Sequence, residues 1–172
     1  MSRIFVRYLL VLIGLVFFMG AVAQEGSEEV APTVTLEGFL VETVVLEDGS
    51  TEERFVAAEE AEPGDVIEYR LQFASGDSAI PADQLQLTGP VPDSTAYIAG
   101  SADSGDVLAL LEFSLVEEEV FSETPTITVQ NEAGEDVVVP APPELYDTLR
   151  WTVLDPIAPE TAFTLRYRVT VR

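Results

Sequence analysis

The chain has 172 residues, 47% of them apolar, with no Cys and no His, and it sets 31 acidic residues against eight basic ones, every one of them Arg. That length suits one domain plus an export segment, and the apolar content suffices for a core, which excludes disorder of the whole chain. The missing residue types exclude a disulfide framework, a thiolate or imidazole metal centre and a lipid-modified cysteine, and the charge argues against DNA, RNA and anionic lipid as partners, since each would be repelled.

Residues 1–23 read as a secretory signal. Arg3 and Arg7 supply the positive end, Tyr8 to Phe18 is apolar apart from Gly14, and Ala21-Val22-Ala23 is the small-x-small pattern that places cleavage after Ala23. An uncleaved anchor is the alternative, but Tyr8 to Ala23 is short of the ~20 residues of a spanning helix, so no stable membrane span is expected after cleavage. Residues 24–32 are acidic and small and form a flexible leader. Removing the signal leaves six arginines against all 31 acids. Such a surface suits cationic partners, divalent ions or a saline medium. Added salt is expected to raise Tm by screening the mutual repulsion, and a salt series that lowers Tm would remove that reading.

The domain is expected over residues 33–172. Thr33 to Leu46 is β-rich, and Gly38 within it reads as a bulge or a switch of sheet. Asp48-Gly49 is a hairpin turn into Thr51 to Ala58, whose Glu52 and Arg54 suit an edge strand. Pro63-Gly64-Asp65 then opens a strictly alternating run: Ile67, Tyr69, Leu71 and Phe73 point one way, and Glu68, Arg70 and Gln72 the other. Gly76-Asp77-Ser78 ends it. A short strand at Leu85 to Leu87 is stopped by Gly89-Pro90, and Ala96-Tyr97-Ile98 is a second short piece. Residues 101–110 form a loop or a helical turn. Leu111, Phe113 and Leu115 alternate as a strand, and Glu117 to Glu119 is a charged bend. Thr126 to Gln130 and Asp136 to Val139 read as a hairpin, followed by a stiff Pro140, Pro142 and Pro143 connection. Thr148 to Val153 carries Leu149, Trp151 and Val153 inward. The last strand alternates Phe163, Leu165, Tyr167, Val169 and Val171 with Thr164, Arg166, Arg168, Thr170 and Arg172. No amphipathic helix is seen. Short strands between Gly/Pro turns predict an all-β, immunoglobulin-like antiparallel β-sandwich of roughly seven to nine strands, its centre made by the runs at Ile67 and Leu165.

The order of landmarks over residues 57–172 resembles the DUF11 family of immunoglobulin-like repeat domains in bacterial and archaeal envelope and secreted proteins. The likeness rests on Pro63-Gly64-Asp65-Val66-Ile67-Glu68-Tyr69, Pro90-Val91-Pro92, Tyr97 with Gly100-Ser101, Leu149-Arg150-Trp151, and the turn at Ala158-Pro159 into Leu165-Arg166-Tyr167-Arg168-Val169. The resemblance implies the fold and an exported setting (periplasm, envelope or extracellular) and brings no catalytic residue.

Chemistry-bearing groups are few. Gly76-Asp77-Ser78 looks like an esterase nucleophile block, but a serine nucleophile needs a base and the chain has no His. A glycosidase-like carboxylate pair needs two acids across a cleft, whereas these acids fall in turns and at solvent-facing strand positions. Asp103 and Asp106, in Asp103-Ser104-Gly105-Asp106, are the best Ca²⁺ candidates, completed by Asp77 or Asp93 if the loops gather at one end. Trp151, Tyr69 and Tyr167 line either a sugar site or, as their alternation suggests, the core. Arg150, Arg166 and Arg168 face outward on the last two strands. If those strands are adjacent, the three form a basic stripe, either paired with Glu68 and its neighbours or free to dock an acidic partner. The expected role is therefore non-catalytic: structural, adhesive or protein-binding, with an envelope or extracellular protein as partner and no cofactor. The alternative is a secreted binding module for Ca²⁺ or carbohydrate.

Overall fold

A computed structural model describes residues 30–116 and 120–172. The signal segment 1–23 with its cleavage point, residues 24–29 of the leader and the bend at Glu117 to Glu119 lie outside the described residues. The rest is all-β. The strands are β1 (Thr33–Val45), β2 (Thr51–Ala57), β3 (Val66–Ala74), β4 (Gln86–Pro90), β5 (Thr95–Tyr97), β6 (Ala109–Leu115), β7 (Thr126–Gln130), β8 (Asp136–Pro140), β9 (Tyr146–Val153) and β10 (Ala162–Val171), with one 3-10 turn at Pro143–Leu145.

All pairings are antiparallel. One sheet runs β2-β1-β3-β10-β5, a second β4-β9-β6, and β7 and β8 pair only with each other. The two alternating runs that announce a sandwich are β3 and β10, side by side in the larger sheet with Leu71 opposite Leu165 and Tyr69 opposite Tyr167. Their inward rows meet Leu149, Trp151 and Val153 of β9, Leu87 of β4 and Phe113 of β6 in one core. Tyr167 is fully buried, stacked on Tyr69 at 5.2 Å between ring centroids and 5.9 Å from Trp151. Burying such rings drives sheet-on-sheet packing and needs no cross-link.

The turns form where their residues require. Gly49 has a positive φ of 83°, and the Asp48 carboxylate accepts from the Ser50 N–H, closing the β1–β2 hairpin. Asn131 does the same for β7–β8, accepting from the N–H groups of Ala133 and Glu135.

The two facing sheets hold eight of the ten described strands, within the expected number for the sandwich, and the β7–β8 hairpin stands as a separate two-stranded piece. The structure corrects two local expectations. Gly89-Pro90 does not stop β4 but belongs to it. Pro90 lacks an N–H at no loss on an edge strand, and Gly89 is there because the Tyr167 ring lies against it. Gly38 marks neither a bulge nor a change of sheet. It makes room for Tyr69, whose Cε1 would stand 3.2 Å from an added Cβ.

Candidate functional site

Of the side chains singled out in the sequence, Arg166 and Arg168 lie on the outer face of the five-stranded sheet and Asp103 at the edge of β10, while Arg150 lies on the three-stranded sheet. Trp151 and Tyr167 are core residues, 1% and 0% exposed, so they line no sugar site, and Tyr69 packs against that core.

The three arginines do not make one stripe. β9 and β10 lie in different sheets, so Arg150 stands apart from Arg166 and Arg168. Arg150 gives Nε and Nη2 to Glu112 at 3.1 and 2.8 Å, with its guanidinium 4.1 Å from the Phe121 ring centroid. Arg166 pairs with Asp103 at 2.5 Å. Arg168 reaches two carboxylates, Glu53 through both terminal nitrogens at 2.8 and 2.6 Å and Glu68 through Nε at 3.0 Å. These contacts pair each of the three arginines with carboxylates of neighbouring segments.

Glu68 is the centre of that network. It sits opposite both Phe39 and Arg168, its side chain is 4% exposed, and it also takes Arg70 Nε at 2.8 Å. Arg70 in turn lies 4.6 Å from the Phe39 ring and 4.4 Å from Phe55, so its apolar faces are covered while its edge bonds the carboxylate. The alternation of β3 marks Glu68 as outward and goes no further. Its burial follows only once Phe39, Arg70 and Arg168 close over it. Glu53, 115 positions from Arg168, carries no pairwise signal in the sequence at all.

Charge pairing also sets pH behaviour. The hydrogen bond from Arg168 holds the Glu53 carboxyl below its ordinary value, and Arg168 itself is raised by the same bond. A lowered carboxyl stabilises the fold above its unfolded pKa of about 4.5 and loses that contribution as pH falls through the folded value. Replacing Glu53 with Gln should therefore lower stability at pH 6 and make little difference at pH 3. Denaturant melts of both proteins at the two pH values check this, and an equal gap at both would contradict it.

The Asp103 loop covers an edge of the sheet. The Asp103 N–H and C=O exchange bonds with Arg166 of β10 at 2.8 Å each, and its carboxyl is held low by the Gly105 N–H and then by Arg166. Ile98 N–H bonds the Arg168 carbonyl, and the Ser101 hydroxyl accepts from the Arg168 N–H. Residues 98–105 thus close the outer edge of β10 where β5 ends. The acids named to complete a Ca²⁺ site are placed far apart. Asp77 belongs to the turn whose Gly76 carbonyl accepts from Glu160, before β10, while Asp93 adjoins Ser94, whose carbonyl accepts from Arg172 after it. Ten residues of strand, ~30 Å, separate them. Asp106 is exposed and stands outside that cover, and among the described residues no three acids come together as a cation would need. Asp77 instead accepts from the Val30 N–H at 2.9 Å and pins the start of the domain.

The opposite side of the sheet is not closed. β2 pairs with β1 only over Phe39–Val45, and among the described residues nothing pairs with the outer edge of β1 from Thr33 to Glu37. Val34 is 50% exposed and Leu36 38%. Among the described residues, no helix is long and apolar enough to cross a membrane. Comparison of the chain with family models, with curated proteins and with solved structures finds no match.

Proposed function

We propose that the chain is a non-catalytic, exported, immunoglobulin-like domain of the DUF11 kind, with a structural, adhesive or protein-binding role in the envelope or outside the cell. The observation that carries this reading is the asymmetry of the larger sheet. One edge is sealed by residues 98–105, and the other offers unpaired backbone beside exposed Val34 and Leu36. Unpaired edges are usually blunted by charge or covered, and β2 follows that rule with Glu52, Glu53 and Arg54. The first half of β1 has one charge, Glu37, beside exposed Val34 and Leu36. The acids nearest the network are held by arginines or by backbone N–H groups, an arrangement that suits rigidity better than proton transfer.

The test is fractionation of the source cells with N-terminal sequencing of the recovered protein, with and without a salt wash. The proposal expects a chain beginning at Gln24, retained with the envelope or a partner and released by salt. A chain that keeps residues 1–23 in the cytoplasm, or one that travels alone in every fraction, would overturn it.

A further inference from the structure

We infer that the open edge of β1, Thr33 to Gly38, is a docking site for an extended, basic protein segment that adds to the sheet as a further strand. The inference rests on the proposed interaction role and names the partner chemistry.

The Gly38 carbonyl accepts from the Ala58 N–H, at 3.5 Å, on the side away from β3. Backbone groups alternate along a strand, so the N–H and C=O of Leu36 and Val34 face the same open side, while Thr33, Thr35 and Glu37 turn theirs to β3. Pro32 has no N–H to offer, and at the far end Ala58 occupies Gly38. The free stretch therefore has defined ends and presents two complete donor–acceptor pairs, a template for strand addition.

Val34 and Leu36 lie on the inner face, where the three-stranded sheet leaves them exposed, and Thr35 and Glu37 lie on the outer one. An added strand would set its own alternate residues beside each row: apolar beside Val34 and Leu36, polar or basic beside Glu37.

Charge selects the occupant. Glu59 and Glu60, both exposed, follow Ala58 at one end of the edge, and Asp77 and Glu160 adjoin Val30 at the other. Arg70, the base opposite Glu37, is committed to Glu68 and the two phenyl rings. With 31 acids against six arginines in the chain beyond residue 23, a second copy is repelled while a cationic segment is drawn in.

The probe is a blocked hexapeptide of alternating Lys and Val, titrated into the protein at low salt and compared with its Glu–Val counterpart. The Lys–Val peptide should bind saturably and protect the Val34 and Leu36 amides from exchange. It should bind at least ~10-fold more tightly than the Glu–Val peptide and weaken with salt. Leu36→Pro removes an N–H that β3 does not use, so the fold should persist while binding falls by about 10-fold or more. If that variant does not fold, Val34→Lys at its half-exposed position does the same by repulsion. Absence of Lys–Val binding, equal binding of the two peptides, or binding indifferent to both substitutions would overturn the inference. Self-association abolished by Leu36→Pro without peptide binding would overturn it in favour of a second copy. Failure here with envelope retention intact removes the edge as the docking place but leaves the interaction role standing; loss of retention removes both.

Discussion

Replacing Glu68 with Ala is expected to destabilise the domain by roughly 2–3 kcal/mol, lowering Tm on the order of 10 °C. Glu68 sits between Arg70 and Arg168 with a side chain 4% exposed, while the two arginines are 27% and 28% exposed. Removing one partner of a buried pair costs about 3–5 kcal/mol when the remaining charge is stranded. Here the loss is smaller, because water reaches both guanidinium groups and Arg168 keeps Glu53. Glu68→Gln retains the shape and an acceptor oxygen, so its loss should be no more than about half as large. Thermal melts of the two variants decide the matter. Equal, small shifts below ~3 °C would mean that the carboxylate is solvated and the network contributes nothing.

A second large effect is expected at Gly89. An added Cβ would lie 2.6 Å from Cε1 of Tyr167 and 3.0 Å from Cζ. The ring has nowhere to retreat: it is fully buried, stacked on Tyr69, and its hydroxyl donates to the Pro90 carbonyl at 2.6 Å. Gly89→Ala should therefore cost about 3 kcal/mol through overpacking. Tyr167→Leu, which gives up the ring, should also be strongly destabilising. The two changes share one space, so the double variant should be more stable than the sum of the single losses implies, by about 1 kcal/mol or more. Strict additivity in urea melts would show that Gly89 and Tyr167 do not contend for the same volume.

Much of this fold is legible in the sequence because period-two alternation is a direct imprint of a two-faced sheet. β3, β9 and β10 declare themselves through Ile67 to Phe73, Leu149 to Val153 and Phe163 to Val171, and the two hairpins through Asp48-Gly49 and Asn131 to Gly134. What the pattern does not carry is which strand lies beside which. Arg150 and Arg168 look equivalent in sequence, yet β9 and β10 belong to different sheets and their partners are Glu112 in one case and Glu53 with Glu68 in the other. Gly89 reads as a breaker because glycine ends many strands, and only the Tyr167 ring across the core explains it as strand interior. The Asp103 loop is opaque for a similar reason. Its spacing of acids is local, whereas Arg166, the group that pairs with Asp103, arrives from 63 positions away. The open edge of β1 leaves no mark in the residues, since it depends on β2 ending at Ala57 rather than on any property of Thr33 to Gly38.

The most direct test of an interaction role is site-specific photo-crosslinking in the source cells. A photoreactive residue is placed at Thr35, exposed beside the open edge, and in a control at Gln86, exposed on the other sheet. A discrete adduct with one basic envelope or extracellular protein is expected from position 35 and none from position 86. No adduct from either position, with the protein recovered alone, would contradict that role.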